Sequence, residues 1–368
     1  MKRQSQSRSL NVKDTSFTQI TNGALFNKQT FNLGGQKFTH RHERWGTVIY
    51  DFQNDLFSAL VNDQNESIVP AAPLGLYWLV TAPCNLRCIH CYGNVEELPR
   101  TAPDSVEQKS IADRIIESGA MRVTLNGGEP LLRKDTPEII ERLADSDVSV
   151  ILGTNGTYLT PDILSSVRRT TRVEISFDSH IELVNNSIRI SRAKTGNAYA
   201  ESLAAIDLCL GNDINLRVLT CLNLRNYKHI EAMGDLLYAR GVRDWSVSWT
   251  LHAGRARHIY GSLVSPEMFE YEEALGRVRR KYPEMKIKTS NRSNAVEGNN
   301  RFSCLVFPDG RMFAEDLEKG EKVGFHSLLE APLAESWNDE NYNRRQHFRR
   351  WTGERVSQSK SLTEVSAC

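Results

Sequence analysis

Cys84-Asn85-Leu86-Arg87-Cys88-Ile89-His90-Cys91 closes three thiols into one short loop directly after the apolar run Leu74–Thr81. Soft donors at that spacing, leaving what reads as a β-strand, point to a soft metal or an iron–sulfur cluster. The count narrows the choice. A structural zinc site takes four ligands, usually as two spaced pairs, and no second pair lies nearby. A 4Fe-4S cube on three thiolates leaves one iron without a protein ligand, open to an external molecule. An open iron implies chemistry rather than a structural staple.

Outward from that loop, short apolar or β-branched runs alternate with longer amphipathic stretches, the pattern of repeated βα units and a parallel sheet. Strands are expected near Tyr77–Thr81, Arg122–Asn126, Val148–Gly153, Arg172–Phe177, Asn215–Leu222 and Asp244–Leu251. Helices are expected near Ser105–Ser118, Thr136–Ala144, Pro161–Val167, Ala198–Leu210 and Tyr227–Arg240. Six such units fall short of the eight of a closed barrel. The fold class is therefore α/β, an open, partial (βα)6 TIM-like barrel. Gly127-Gly128-Glu129-Pro130 ends the second strand, Gly153-Thr154-Asn155-Gly156-Thr157 the third and Ser176-Phe177-Asp178 the fourth, while Gly254-Arg255 follows the sixth. Parallel α/β folds place their ligands at this carboxyl end of the strands.

The three-cysteine spacing together with these four segments resembles the radical S-adenosylmethionine (SAM) superfamily, in particular its peptide-modifying branch with a SPASM or twitch extension. The resemblance is strong over residues 74–260 and looser beyond them. One departure is His90, where the family often has an aromatic residue before the third cysteine. The resemblance implies that Cys84, Cys88 and Cys91 ligate one 4Fe-4S cluster and that SAM binds its open iron. It further implies that one-electron reduction, from a flavodoxin or ferredoxin, cleaves SAM to a 5′-deoxyadenosyl radical that abstracts hydrogen from substrate.

The same resemblance assigns the other site residues. Gly127 and Gly128, without side chains, let a ligand approach the backbone and receive the amino group of SAM. Glu129 adds a carboxylate contact to that ammonium or anchors the turn. Asn155 reads equally as a turn residue and as a cofactor contact. Ser176 and Asp178 share one side of a strand; Ser176 is implied to touch the SAM carboxylate or ribose, with Asp178 close by. Arg192 is implied to pair with the SAM carboxylate, with Arg189 equally near. Cys221 and Cys304 are candidate hydrogen donors to a substrate radical, although a lone cysteine is more often a small buried hydrophobe.

The rest of the chain frames this core. Residues 1–15 are polar and read as a disordered tail; residues 16–62 carry short apolar runs and read as a small α+β unit, a cap on the barrel or a holder for a leader peptide. Residues 261–351 read as a SPASM/twitch-like extension with a hairpin turning at Pro308-Asp309-Gly310, and 352–368 as a polar tail. Such extensions bind further clusters through several cysteines. Here only Cys304 remains, Ala314 stands where a second would close the hairpin, and Cys368 is isolated, so one cluster is expected. The stretch Asn341–Trp351 is basic with interleaved aromatic residues, a nucleic-acid patch or a solvated helix end.

With 368 residues, 40% of them hydrophobic, the chain has ample material for a core. Lysine and arginine (46) balance aspartate and glutamate (45) to a net +1, which argues against nucleic acid and an anionic membrane as partners. No signal peptide or membrane-crossing run is evident, and seven cysteines, three of them clustered, suit a reducing, cytoplasmic setting better than a disulfide framework. The leading expectation is a radical SAM enzyme that modifies a ribosomally made precursor peptide. The alternatives are a radical SAM enzyme acting on a small metabolite or cofactor precursor, and a noncatalytic structural-metal or RNA-binding protein.

Overall fold

Alternating side chains and very short connections dictate the first part of the chain. β1 (Ser16–Asn22), β2 (Asn27–Leu33), β3 (Gln36–Glu43), β4 (Gly46–Asp51) and β5 (Leu56–Val61) form an antiparallel meander. Gly34 and Gly35 join β2 to β3 with φ of +58° and +81°, the conformation a two-residue hairpin turn requires. On one face of β3, Arg41 is buried and donates through Nε to Glu43 at 2.8 Å, and Trp45 Nε1 donates to the other Glu43 oxygen at 3.0 Å.

The structure, a computed structural model, describes residues 16–22, 26–62, 70–92, 103–290, 303–316, 321–339 and 354–356. It divides into two units, residues 1–71 with 349–368, and residues 72–348. The expected α+β unit at 16–62 is corrected: its described residues are strands and turns without a helix. Runs of period two joined by two to four residues leave no length for one. The last short strand in chain order, β16 (Glu354–Val356), pairs in parallel with β5, so a piece of the expected tail belongs to this sheet. Residues 1–15, the stretch 341–351 and Cys368 lie outside the described residues.

The second unit begins β6 (Gly75–Leu79), α1 (Ser105–Glu117), β7 (Arg122–Asn126), α2 (Thr136–Asp145), β8 (Ser149–Thr154), α3 (Leu164–Val167) and β9 (Arg172–Ser176). It continues α4 (Glu182–Ile188), α5 (Ala198–Leu210), β10 (Leu216–Leu222), α6 (Ile230–Ala239), β11 (Asp244–Trp249), α7 (Tyr271–Lys281) and β12 (Lys286–Ser290). β13 (Ser303–Val306), β14 (Arg311–Asp316), β15 (Glu321–Ser327) and α8 (Leu333–Asn338) follow. The sheet order is β12-β11-β10-β9-β8-β7-β6-β13-β14-β15. The six expected strands lie side by side and parallel. Two further parallel strands extend them, β12 beyond β11 and β13 beyond β6. The carboxyl-terminal hairpin thus continues the barrel sheet in the same unit instead of standing apart from residue 261 onward.

Local chemistry sets these elements. Asp104 caps α1 by accepting from the N–H of Val106 and Glu107 at 2.8 and 2.9 Å, while Glu107 accepts from the Asp104 N–H at 3.0 Å, a reciprocal capping box. Gly119, at φ +70°, follows the helix end. Helices bury Ile111 and Ile115 (α1), Ile139, Ile140 and Leu143 (α2), and Ile206 (α5) in one core with the strand residues Val123, Leu125, Val150 and Val173. At the amino end of the strands Arg217 bridges Glu174 at 3.0 Å and Asp244 at 2.9 Å, stapling β9, β10 and β11 in register. Ile140→Ala, in this fully buried core, is expected to lower the unfolding free energy by about 2–5 kcal/mol in a denaturant titration; a loss well under 1 kcal/mol would contradict the packing described.

Candidate active site

The cysteine loop has no helix and no strand beyond a single bridge between Leu86 and Ser191, so its shape comes from what clasps it. From the end of β7, the Gly128 N–H donates to the Thr81 carbonyl at 2.7 Å and the Glu129 N–H to Pro83 at 2.9 Å. From the segment after α4, the Ile190 and Ile188 carbonyls accept from Arg87 and Ile89 at 2.7 and 3.0 Å, and the Arg192 N–H donates to Asn85 at 2.9 Å. From the segment after β11, the Arg255 N–H donates to the Cys91 carbonyl at 2.9 Å and its Nη1 to the Cys88 carbonyl at 2.5 Å.

Two glycines make these approaches. A Cβ on Gly128 would stand 2.0 Å from the Pro83 carbonyl oxygen, and one on Gly254, at φ +56°, would stand 2.3 Å from that of Cys91. The Gly-Gly pair is therefore filled by the backbone leading into the cysteines, a use of glycine the sequence reading gave to a ligand. No described hydrogen bond ends on the Gly128 carbonyl oxygen.

Glu129 is fully buried. One carboxylate oxygen accepts from Thr154 Oγ1 at 2.6 Å and the Leu131 N–H at 3.1 Å, the other from the Asn155 N–H at 2.8 Å. Burial raises its pKa while these three donors pull it down. Of the two roles the sequence allowed Glu129, the turn anchor is the one these contacts make. Asn155, held by Glu129, donates from Nδ2 to Asn85 Oδ1 at 2.9 Å and toward Cys84 Sγ at 3.9 Å.

Asp178 gathers a second group. Its carboxylate accepts from the Cys221 N–H at 2.8 Å, lies 2.7 Å from Arg189 Nε and 3.6 Å from His90 Nε2. Arg189, buried, donates from Nη1 toward Cys88 Sγ at 3.8 Å. Burial alone would lower the Arg189 pKa, but Asp178 and Cys88 more than offset it. Burial pushes the His90 pKa down to about 4 against the pull of Asp178, so the imidazole is neutral.

Arg192 is exposed and meets the loop through its backbone, whereas Arg189 brings its side chain to the cysteines. Ser176, half-buried at the carboxyl end of β9, has a hydroxyl without a hydrogen-bond partner among the described residues. Cys221 lies at the end of β10 with Sγ 3.4 Å from Thr250 Oγ1, its thiol pushed up to about 12 chiefly by burial and then by Asp178. Cys304, only 2% exposed, packs in the core on β13, which leaves Cys221 as the candidate thiol at the site. Nothing in the sequence signalled the Asp178–Arg189–Cys88 contact, because α4 lies between the partners and folds them together.

Cys84, Cys88 and Cys91 are free of disulfides and share one loop. Burial pushes the Cys84 thiol up to about 11 and that of Cys88 up to about 12, so metal binding would release protons. Among the described residues no three His, Cys, Asp or Glu side chains converge on one metal ion. Three thiolates without an oxygen or nitrogen ligand among them are the soft donor set that an iron–sulfur cluster takes. No helix among the described residues is long and apolar enough to cross a membrane.

Comparison with known proteins agrees with this geometry. Residues 78–237 match the model of the radical SAM superfamily. The AdoMet-dependent heme synthase of Methanosarcina barkeri is 30% identical over 202 residues, which cover 54% of this chain and 56% of that protein. The mycofactocin maturase MftC of Mycobacterium tuberculosis is 24% identical over 256 residues, covering 66% and 64%. The chain thus spans little more than half the length of the first of these relatives. In fold, Streptococcus suis SuiB bound to its precursor peptide SuiA superposes with a TM-score of 0.66 at 12% identity, over 84% of this chain and 89% of that one.

The clasp yields a direct test. Gly254→Ala places a side chain at a left-handed φ, at a cost of about 1–2 kcal/mol, and drives it into the Cys91 carbonyl. The variant is expected to keep its secondary structure by circular dichroism while retaining markedly less iron after anaerobic reconstitution. Iron retention equal to the parent would contradict the clasp.

Proposed function

We propose that this chain, whose residues 78–237 match the radical SAM superfamily model, is a radical SAM enzyme that modifies a ribosomally synthesised precursor peptide. Cys84, Cys88 and Cys91 would hold one 4Fe-4S cluster, which together with SAM would supply the 5′-deoxyadenosyl radical chemistry of hydrogen abstraction from the substrate. The observation that carries the chemistry is the loop of three free cysteines clasped at the carboxyl ends of parallel strands. Similarity to a peptide maturase over two thirds of the chain supports the substrate class.

In this reading the chain's own groups do the positioning. The Gly128 carbonyl accepts from the ammonium of SAM, and the Ser176 hydroxyl donates to its carboxylate or ribose. Asn155 and Asp178 act behind them, Asn155 on the loop and Asp178 through Arg189 and His90. Arg192, at the rim, remains a proposed partner of the SAM carboxylate. Cys221, at the end of β10, returns a hydrogen atom where the reaction needs one. A flavodoxin or ferredoxin is the proposed electron donor.

A second reading, a small cofactor precursor as substrate, is favoured by the 30% identity to a heme synthase. The two separate when the reconstituted holoenzyme is given SAM, reductant and either a precursor peptide encoded beside its gene or an iron coproporphyrin. The proposed reading expects a mass change in the peptide and faster 5′-deoxyadenosine release with it. Turnover of the tetrapyrrole alone would transfer the function to the second reading. Release of about four irons per chain on denaturation is expected for one cluster; about eight would mean that the carboxyl-terminal segment binds another.

The Ser176 assignment has its own test. A hydrogen bond to a charged group contributes about 1.5–3 kcal/mol, so Ser176→Ala is expected to weaken SAM binding by about tenfold or more at unchanged iron content. Unaltered SAM affinity would remove Ser176 from the site.

A further inference from the structure

Arg189 stands out among the groups around the cysteine loop because it is a largely buried cation whose guanidinium reaches a cysteine sulfur. Its side chain is 8% exposed and that of Asp178 is 0% exposed. They meet at 2.7 Å as an ion pair outside hydrogen-bond alignment, and the guanidinium reaches on to Cys88 Sγ at 3.8 Å. A buried pair of this kind contributes little net stability, because desolvation consumes most of the Coulomb gain. Its placement therefore invites a role other than holding the fold.

We propose that Arg189 is the fixed counter-charge of the cluster loop, positioned by Asp178, and that the pair sets the reduction potential of the cluster held at Cys88. This rests on the function proposed above. A cluster on three thiolates gains one negative charge on reduction. A cation held beside one of those sulfurs in a low-dielectric setting favours the reduced state and raises the potential. Asp178, on the far side of the guanidinium, moderates that field and fixes its direction. Both are positioning residues: they act on the cluster through Cys88, and no step of bond making is assigned to them.

The two charges predict shifts of opposite sign. With cluster reconstituted and SAM absent, an EPR-monitored redox titration is expected to show a more negative midpoint for Arg189→Met than for the parent. Asp178→Asn, which leaves the cation unopposed, is expected to show a more positive one, and Arg189→Lys one near the parent. A purely structural role would move both single variants the same way or neither, and either result overturns the proposal. If Arg189→Met does not retain iron, Arg189→Met/Asp178→Asn removes both charges together. Because Arg189 is the group beside the sulfur, the double variant is expected to shift negative, and an unchanged midpoint overturns the proposal. A parent protein that takes up no iron refutes the proposed function itself, whereas a loaded parent with unshifted variants refutes this inference alone.

Discussion

A backbone loop that makes almost no hydrogen bonds within itself is the constraint on which the site depends. Residues 81–92 owe their shape to donors and acceptors from three other segments, at Gly128–Glu129, Ile188–Arg192 and Gly254–Arg255. Gly128–Glu129 leaves the end of β7, Ile188–Arg192 ends and follows α4, and Gly254–Arg255 follows β11, so the sheet register and the run of α4 together set the distance between the clasps. Backbone groups are obligatory hydrogen-bonding partners when buried, and here that obligation is met across the barrel mouth. The packed strands and helices below hold the groups that clasp the loop in place.

The buried carboxylates divide the work. Glu129 spends its acceptors on Thr154, Asn155 and Leu131, locking the end of β7 to the end of β8. Asp178 ties β9 to β10 through the Cys221 N–H and faces Arg189 and His90. One carboxylate meets only neutral donors and the other also faces a cation, so only the second forms a charge pair beside the cysteines. Several residues whose identity suggested cofactor contact thus have a prior task in building the surface that a cofactor would meet.

Much of this was legible in the residues. Runs such as Arg-Val-Thr-Leu-Asn at 122–126, buried on nearly all positions, carry the β-branched and apolar residues of a short strand between longer helical stretches, and the cysteine spacing located the site. The pairing of β13 with β6 was not legible, because parallel pairing between residues 303–306 and 75–78 leaves no local pattern. β12 was missed since Lys-Ile-Lys-Thr-Ser reads as polar edge sequence. Arg189 and Arg192 are equivalent by spacing; only the turn of α4 buries one and exposes the other. The runs of the first sheet read as short strands, and the helix expected beside them is absent from its described residues because the two- to four-residue connections leave no length for one.

Everything proposed for the site depends on an open iron at the three-cysteine loop. The measurement that tests it is the EPR spectrum of the reduced, reconstituted protein recorded without and with SAM. A single 4Fe-4S signal whose shape changes when SAM is added is the predicted result, since ligation at the open iron alters the cluster's electronic environment. A spectrum indifferent to SAM, or a protein that retains zinc and shows no cluster signal, would contradict it.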